Sequence, residues 1–471
     1  MTSEVLNSQI LRKENENQHT DRDQSANAYE KPFQKLVEAI SSQLENHQHF
    51  TLSLAGEESQ FTRFNHAKVR QTGLVRDGQI HLSVMTEDRS ASAALPFTGD
   101  FDLDWPPIQS ALSQLEQNFS KLPIDPYVVL PAATENSTSR EIRSGDLLEP
   151  TEVAEQLLSP VESLDFSGLY AGGISYRAYA DSAGKQHWFE TPSFTLDYSL
   201  FGSRRNQAAK GTVAGNCWDA ETYRANLAAT QKQLELLSRP VKAVPKGSYR
   251  TYLAPAAVAE IVDTMAWGGL GEAALRQGNS AFNQLEKGEL MLSEKFSLEE
   301  NFNRTSIPRF NHSGEISPSQ LSIIKNGKWA SSLVSPRSAK EYSKPSNAAS
   351  SRESMRAPAI APGTLFDSQI LSQLDTGLYL SNLHYLNWSD LVAGGITGMT
   401  RYACFWIENG EIVAPIEDLR FDDNLYRFLG AGLINLTAEQ TFIPTVNTYN
   451  QRSLGGIWAP GMLIEQFRYT L

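Results

Sequence analysis

Three dipeptides constrain this chain more than any other feature: Asp77-Gly78, Asn326-Gly327 and Asn409-Gly410, each set between apolar runs. A two-residue type I′ turn needs positive φ at both central positions, which Asn-Gly and Asp-Gly tolerate best. The runs beside them read as strands: Ile80, Leu82 and Val84 after the first, IIK and KWA around the second, CFWIE and EIVAPI around the third. Hairpins spread along the chain, with segments of helical spacing between them, predict an α+β protein.

The helical segments divide the chain. Residues 1–28 are polar and few in aromatics, which predicts a disordered tail. Phe33, Leu36, Val37, Ile40 and Leu44 then follow helical spacing over 31–47, and Phe50, Leu52 and Leu54 alternate. Asp77-Gly78 joins two further strands, and a helix carrying Ile108, Ala111, Leu112, Leu115 and Phe119 closes a small N-terminal α+β domain, 29–122. A Pro-, Ser- and Thr-rich stretch, 123–150, surrounds a short strand at Tyr127–Leu130 and opens a β-rich middle domain, 123–245. That domain holds a helix over 151–159, a meander turning at Ser182-Ala183-Gly184, and a helix over 220–238 with Asp219 as its N-cap. The β-rich C-terminal domain, 246–471, opens with a strand at Tyr249–Leu253 and a helix from Pro255 that puts Val258, Ile261, Val262 and Met265 on one face. Within it, the Ser- and Pro-rich stretch 331–363 reads as a long flexible loop.

Charge and cysteine content exclude several functions. Lys and Arg number 41 against 54 Asp and Glu, a net charge of −13. That field repels phosphate backbones, and with no local basic patch evident, nucleic acid is not expected as a partner. The two cysteines, Cys217 and Cys404, rule out a disulfide framework or a zinc ribbon and fit a reducing compartment. The N-terminus lacks the apolar core of a signal peptide, and no apolar run approaches the roughly 20 residues that span a bilayer. The expectation is a soluble, cytoplasmic protein with no membrane partner.

No complete catalytic motif is present: no phosphate loop, dinucleotide fingerprint, GxSxG elbow or HExxH. Turns or close packing account for Gly172-Gly173, Gly268-Gly269 and Gly394-Gly395. His19, His47, His49, His66 and His81 read as solvated or sheet-surface residues. His187 with Cys217 and Asp219 allows a Cys–His–Asp nucleophile in principle, but no local signature supports it, and small buried thiols are the simpler reading. His312, Glu315 and His384 are the residual metal-ligand candidates, without the i, i+4 spacing that would recommend them. Trp388 and the Tyr402–Phe405–Trp406 run suit sheet packing, or a groove for an extended peptide. No residue is assigned a catalytic, metal-binding or cofactor-binding role.

Four segments in order resemble the TldD/TldE (PmbA) family: FTRFNHAKVRQTGLVRDGQIHLSV, FSGLYAGGISYRAYADSAGKQHWFE, RFNHSGEISPSQLSIIKNGKWASSLVSPRSA, and the stretch from TGLYLSNLHYLNW through IENGEIVAPIEDLRFDDNLYRFL. The resemblance implies a metallopeptidase family in which TldD-type chains carry an HExxxH helix, with its two His and a later Cys holding zinc and its Glu acting as general base. TldE-type chains lack these ligands and pair with a TldD-type chain. Here the matching helix, APAAVAEIVDTMAWGGLGEAAL, keeps Glu260 and Asp263 but has no His, and the C-terminal segment has no Cys. The chain resembles the TldE-like member, with no zinc of its own and zinc expected in a TldD-type partner. It departs from the family at Asp422-Asp423, where a small-Gly step is usual, which weakens the helix start there. The resemblance implies a non-catalytic subunit of a peptidase acting on unfolded or extended peptides. The alternatives are a peptide-binding or scaffold homodimer, a stand-alone hydrolase using a non-zinc site, and a modulator of DNA gyrase acting at the protein level.

Overall fold

The computed structural model describes residues 29–44, 48–133, 137–203, 207–267 and 269–470. The expected tail, with His19, and also His47 and Gly268, lie outside the described residues. The chain is α+β, and it divides into two compact units that interleave along the sequence, where three consecutive domains were expected. The first unit comprises 1–58, 76–143 and 174–191; the second comprises 59–75, 144–173 and 192–471. The interleaving follows from strand length. Strands β1 (His49–Asn65), β5 (Asp165–Asp181) and β6 (Gln186–Phe201) are 16 or 17 residues long, and each gives one part to each unit.

In the first unit, helix α1 over 29–43 buries Phe33, Leu36, Val37 and Ile40, the stripe its spacing predicts. These pack with Phe50, Leu52 and Leu54 of β1, with Ile80, Leu82 and Val84 of β2 (Lys68–Met85), and with Ile108 and Leu112 of α2 (Phe101–Phe119). β3 (Ser90–Pro96) pairs with β2 only from Gln79 to Met85.

Asp77-Gly78 forms no hairpin; it lies inside β2. The turn stands eleven residues earlier, where His66 and Ala67 take φ of 48° and 50° between β1 and β2. Glycine at 78 answers a different need. A Cβ there would sit 2.7 Å from the Phe97 carbonyl oxygen, and Phe97 N–H donates to the Gly78 carbonyl at 2.7 Å. The expected strand at Tyr127–Leu130 is likewise replaced by turn and irregular backbone, and β4 (Thr138–Ile142) supplies the pairing instead, parallel to β6.

The second unit begins with the outer parts of β1, β5 and β6 and adds β7 (Ala208–Gly215) against β6. Helix α3 (Val153–Leu158) and helix α4 (Ala220–Leu237) cover them, burying Val153, Leu157, Tyr223 and Leu227 beside Phe64, Phe166 and Leu196. Asp219 caps α4 as expected, accepting from the N–H groups of Glu221 and Thr222. From β8 (Gly247–Leu253) onward the strands are β9 (Leu298–Asn301), β10 (Gln320–Lys325), β11 (Lys328–Trp329), β12 (Pro358–Ile360), β13 (Gly377–Asp390), β14 (Gly395–Glu408), β15 (Glu411–Pro415), β16 (Arg420–Asn424), β17 (Leu433–Pro444) and β18 (Gly456–Tyr469). Their pairings close a ring: β8 runs parallel to β13 and antiparallel to β18, while β13–β14, β14–β16 and β16–β18 complete the circuit. Helix α5 (Pro255–Trp267) packs against β13 and β18.

Both Asn-Gly hairpins form as expected. Asn326 and Gly327 have φ of 50° and 74°, and Asn409 and Gly410 have 54° and 77°.

Stretch 331–363, expected as a flexible loop, carries structure of its own: the helix Pro336–Tyr342, strand β12, and buried Ser332, Ser335, Ser338, Ala348 and Ala349. Buried Glu353 holds it, accepting from Ser335 N–H at 2.8 Å and Ala273 N–H at 2.9 Å. Serine content suggested flexibility, yet these hydroxyls serve as caps and buried donors. Asp423 also strengthens its surroundings. Its buried carboxylate accepts from the backbone N–H groups of Asn424 and Arg468 and from the Arg427 guanidinium, and Asn424 caps the short helix that follows.

Candidate functional site

The site is built on the solvent face of α5. Ala257, Val258, Ile261, Val262, Thr264 and Met265 are buried, which leaves Glu260, Asp263 and Trp267 exposed along one stripe at i, i+3 and i+7. Glu260 and Asp263 are open to water yet walled by protein. Burial pushes both carboxyls above their ordinary values; for Glu260 the Asp263 charge adds to the rise and Lys210 opposes it. Trp267 meets Trp388 of β13 edge-on, with ring centroids 6.3 Å apart.

Lys210 of β7 connects this stripe to a second group of charges. It pairs with Asp197 at 3.1 Å and lies 5.9 Å from the centre of the Tyr402 ring, which Arg401 also approaches at 5.1 Å. Burial lowers the His384 pKa, and Arg401 and Lys210 lower it further, against the pull of Asp418. Asp418 is itself raised, chiefly by burial, with Arg401 and His384 opposing. Lys210, Glu260, Asp263, His384, Arg401 and Asp418 therefore form one electrostatically connected surface of the second unit.

Two bulges shape it. The β13–β14 register shifts between His384 and Asn387 and again between Leu380 and Asn382, and at these places Tyr385 and Tyr402 take φ of 53° and 64°. A bulky residue at positive φ is strained, and here the bulge turns Tyr385 outward, 75% exposed, beside the His384 ring.

The other sequence candidates are placed as follows. His187 shares a hydrogen bond with Ser139 through Nδ1 at 2.8 Å and is buried. Cys217 is exposed, and Asp219 is committed to its cap. Cys404 is buried with its thiol pushed up to about 11, which leaves it a poor nucleophile. Glu315 accepts from Ser346 Oγ. His49 and His66 face Ser182 and Asp165, and His81 is exposed on β2. Among the described residues, no three His, Cys, Asp or Glu side chains gather in a way that could hold a metal ion. Sequence reasoning singled out Glu260, Asp263 and His384 but missed Lys210, Arg401, Asp418 and Tyr385. They come from β7, β13, β14 and the loop after β15, and only the pairing of those elements brings them to one surface.

Residues 246–470 match the model of the PmbA/TldA metallopeptidase C-terminal domain. The C-terminal part of this chain is a PmbA/TldD-family domain. Solved structures share its fold over almost the whole length. TldE from Thermococcus kodakarensis superposes with a TM-score of 0.76 at 13% identity, covering 93% of this chain and 100% of that one. A proposed modulator of DNA gyrase from Thermotoga maritima gives 0.72 at 14% identity, over 94% and 100% of the two chains. A second proposed gyrase modulator, from Bacteroides thetaiotaomicron, gives 0.72 at 15%, over 94% and 98%. No curated protein matches in sequence.

Within the PmbA/TldD-family domain, the HExxxH pattern set on Glu260 requires His at 259 and 264. Those positions hold Ala259, which is 4% exposed, and Thr264, which is 2% exposed and donates its hydroxyl to the Glu260 carbonyl. Neither residue offers a zinc ligand, so this donor set does not fit the ion. Among the described residues, no helix is long and apolar enough to cross a membrane.

Proposed function

We propose that this chain is the zinc-free, TldE-like subunit of a cytoplasmic TldD/TldE-type metallopeptidase, and that it supplies substrate-cavity wall and peptide-positioning surface. The observation that carries the reading is helix α5, where buried Ala259 and Thr264 stand at the spacing of the zinc motif around Glu260. Water activation then belongs to a TldD-type partner that brings its own zinc. This chain binds and orients the peptide. Trp267, Trp388 and Tyr385 offer apolar contact to an extended chain, and the charges from Lys210 to Asp418 offer polar contacts of both signs. Zinc content and hydrolysis of an unfolded protein, measured on the chain alone and on its mixture with a TldD-type chain from the same cell, test the proposal. Zinc and activity appearing only in the mixture are the expected result. Stoichiometric zinc and activity in the chain alone refute it.

A second reading has one observation in its favour, since two structural neighbours are described as proposed modulators of DNA gyrase. With a net charge of −13, such a role here would run through contact with the gyrase protein rather than with DNA.

A further inference from the structure

The hairpin arm formed by β1 and β2 carries an unguarded edge. Within the second unit, every residue from Lys68 to Val75 is exposed, including Leu74 at 75%, Val69 at 40% and Val75 at 39%. β2 has β1 on one side, and on the other β3 covers it only from Gln79 onward, so among the described residues no strand pairs with the outer edge of Lys68–Val75. An edge eight residues long, whose alternate residues turn their N–H and C=O groups outward and whose apolar side chains are exposed, makes a template for another strand, and folded proteins seldom leave such an edge bare.

The arm also has the opposite charge to the rest of the chain. Residues 59–75 contain Arg63, Lys68 and Arg70 and no Asp or Glu, in a protein of net charge −13. Among the described residues, none of these three cations is in an ion pair. Arg63 and Arg70 line one concavity of about 740 Å³, with Ser167, Leu169, Ser199, Phe201 and Asp197, whose carboxylate is already paired with Lys210 at 3.1 Å. The concavity adjoins the free edge, so a strand added to β2 finds apolar contact and two guanidinium groups beside it.

We infer that the edge Lys68–Val75 and its concavity dock an extended, acidic segment of the partner subunit by strand addition. Main-chain hydrogen bonds would supply affinity, and Arg63, Lys68 and Arg70 would select the acidic sequence. A second copy of this chain fits poorly, because its arm brings the same cations and no carboxylate to answer them. The length and apolar character of the edge favour a lasting subunit contact over a passing substrate, since an edge left bare between turnovers would invite aggregation. The inference rests on the proposed pairing with a TldD-type chain.

Hydrogen exchange and affinity, measured on the full chain mixed with its TldD-type partner, test it. The amides of 68–75 are expected to gain protection in the complex. The triple variant R63E/K68E/R70E, whose changes are all exposed, should keep the wild-type circular dichroism and bind at least about ten-fold more weakly at low salt. A complex whose 68–75 amides exchange as in the free chain, with unchanged affinity of the variant, overturns the docking surface and leaves the pairing intact. Absence of any complex overturns both. Protection of the same amides in a homodimer, or binding of duplex DNA that the variant loses, overturns the choice of an acidic polypeptide.

Discussion

Replacing Arg452 with alanine should release the loop between β17 and β18. Arg452 is 3% exposed, and its guanidinium donates to Ser59 Oγ at 2.8 Å, to the Ser193 carbonyl at 2.9 Å and hydroxyl at 3.0 Å, and to the Gly173 carbonyl at 3.0 Å. These acceptors sit on β1, β6 and β5, so one side chain of the PmbA/TldD-family domain holds its loop against the second unit's parts of three strands. Each hydrogen bond from a charged donor contributes about 1.5–3 kcal/mol net of the exchange with water. Removing the guanidinium leaves neutral buried acceptors, each costing about 1–3 kcal/mol where it stays dry, so a loss of about 3–5 kcal/mol is expected once water reaches some of them. At about 1.4 kcal/mol per factor of ten, the loop-opening equilibrium should rise by about two to three and a half orders of magnitude. Native-state hydrogen exchange reads this at the Thr445 and Ser453 amides, which bond within the loop to the carbonyls of Gly455 and Asn447. Unchanged protection at both amides in Arg452→Ala, with an unchanged urea midpoint, would refute the clamp.

Two further outcomes follow from the geometry. Because the Glu260 carboxyl is raised above its ordinary 4.5, it holds its proton more tightly folded than unfolded, so its contribution favours folding at low pH and is lost as pH rises through the raised value. Urea midpoints from pH 4 to 8 should therefore fall less steeply for Glu260→Gln than for the wild type, and parallel profiles would contradict this. Gly410→Ala should cost about 1–2 kcal/mol for the positive φ alone, because its Cβ meets nothing closer than 3.4 Å. Gly327→Ala should cost clearly more, with a Cβ 2.3 Å from the Leu292 carbonyl oxygen, and equal urea midpoints for the two variants would count against the packing argument.

What was legible beforehand was local. Asn326-Gly327 and Asn409-Gly410 specify their turns because each solution depends on two residues and their backbone dihedrals. The stripes of α1 and α5 and the Asp219 cap are likewise written within one or two helical turns. The missing histidines of α5 need no coordinates at all. Asp77-Gly78 misled because the same glycine that suits a turn also suits a close strand approach, and the choice between them was made by Phe97, nineteen residues away.

The sequence by itself determined the α+β class, the hairpins that obey local turn chemistry, and a helix at α5 that contains no histidine. Tertiary structure decided where β1 turns, how β8, β13, β14, β16 and β18 close their ring, which acceptors Arg452 finds, and that Lys210 on β7 shares a surface with Glu260 on α5 and His384 on β13. Local preferences act over a few residues. Pairings across a hundred or more are set by which arrangement of the whole chain buries the most apolar surface with every strand hydrogen-bonded, and no short stretch of sequence carries that information.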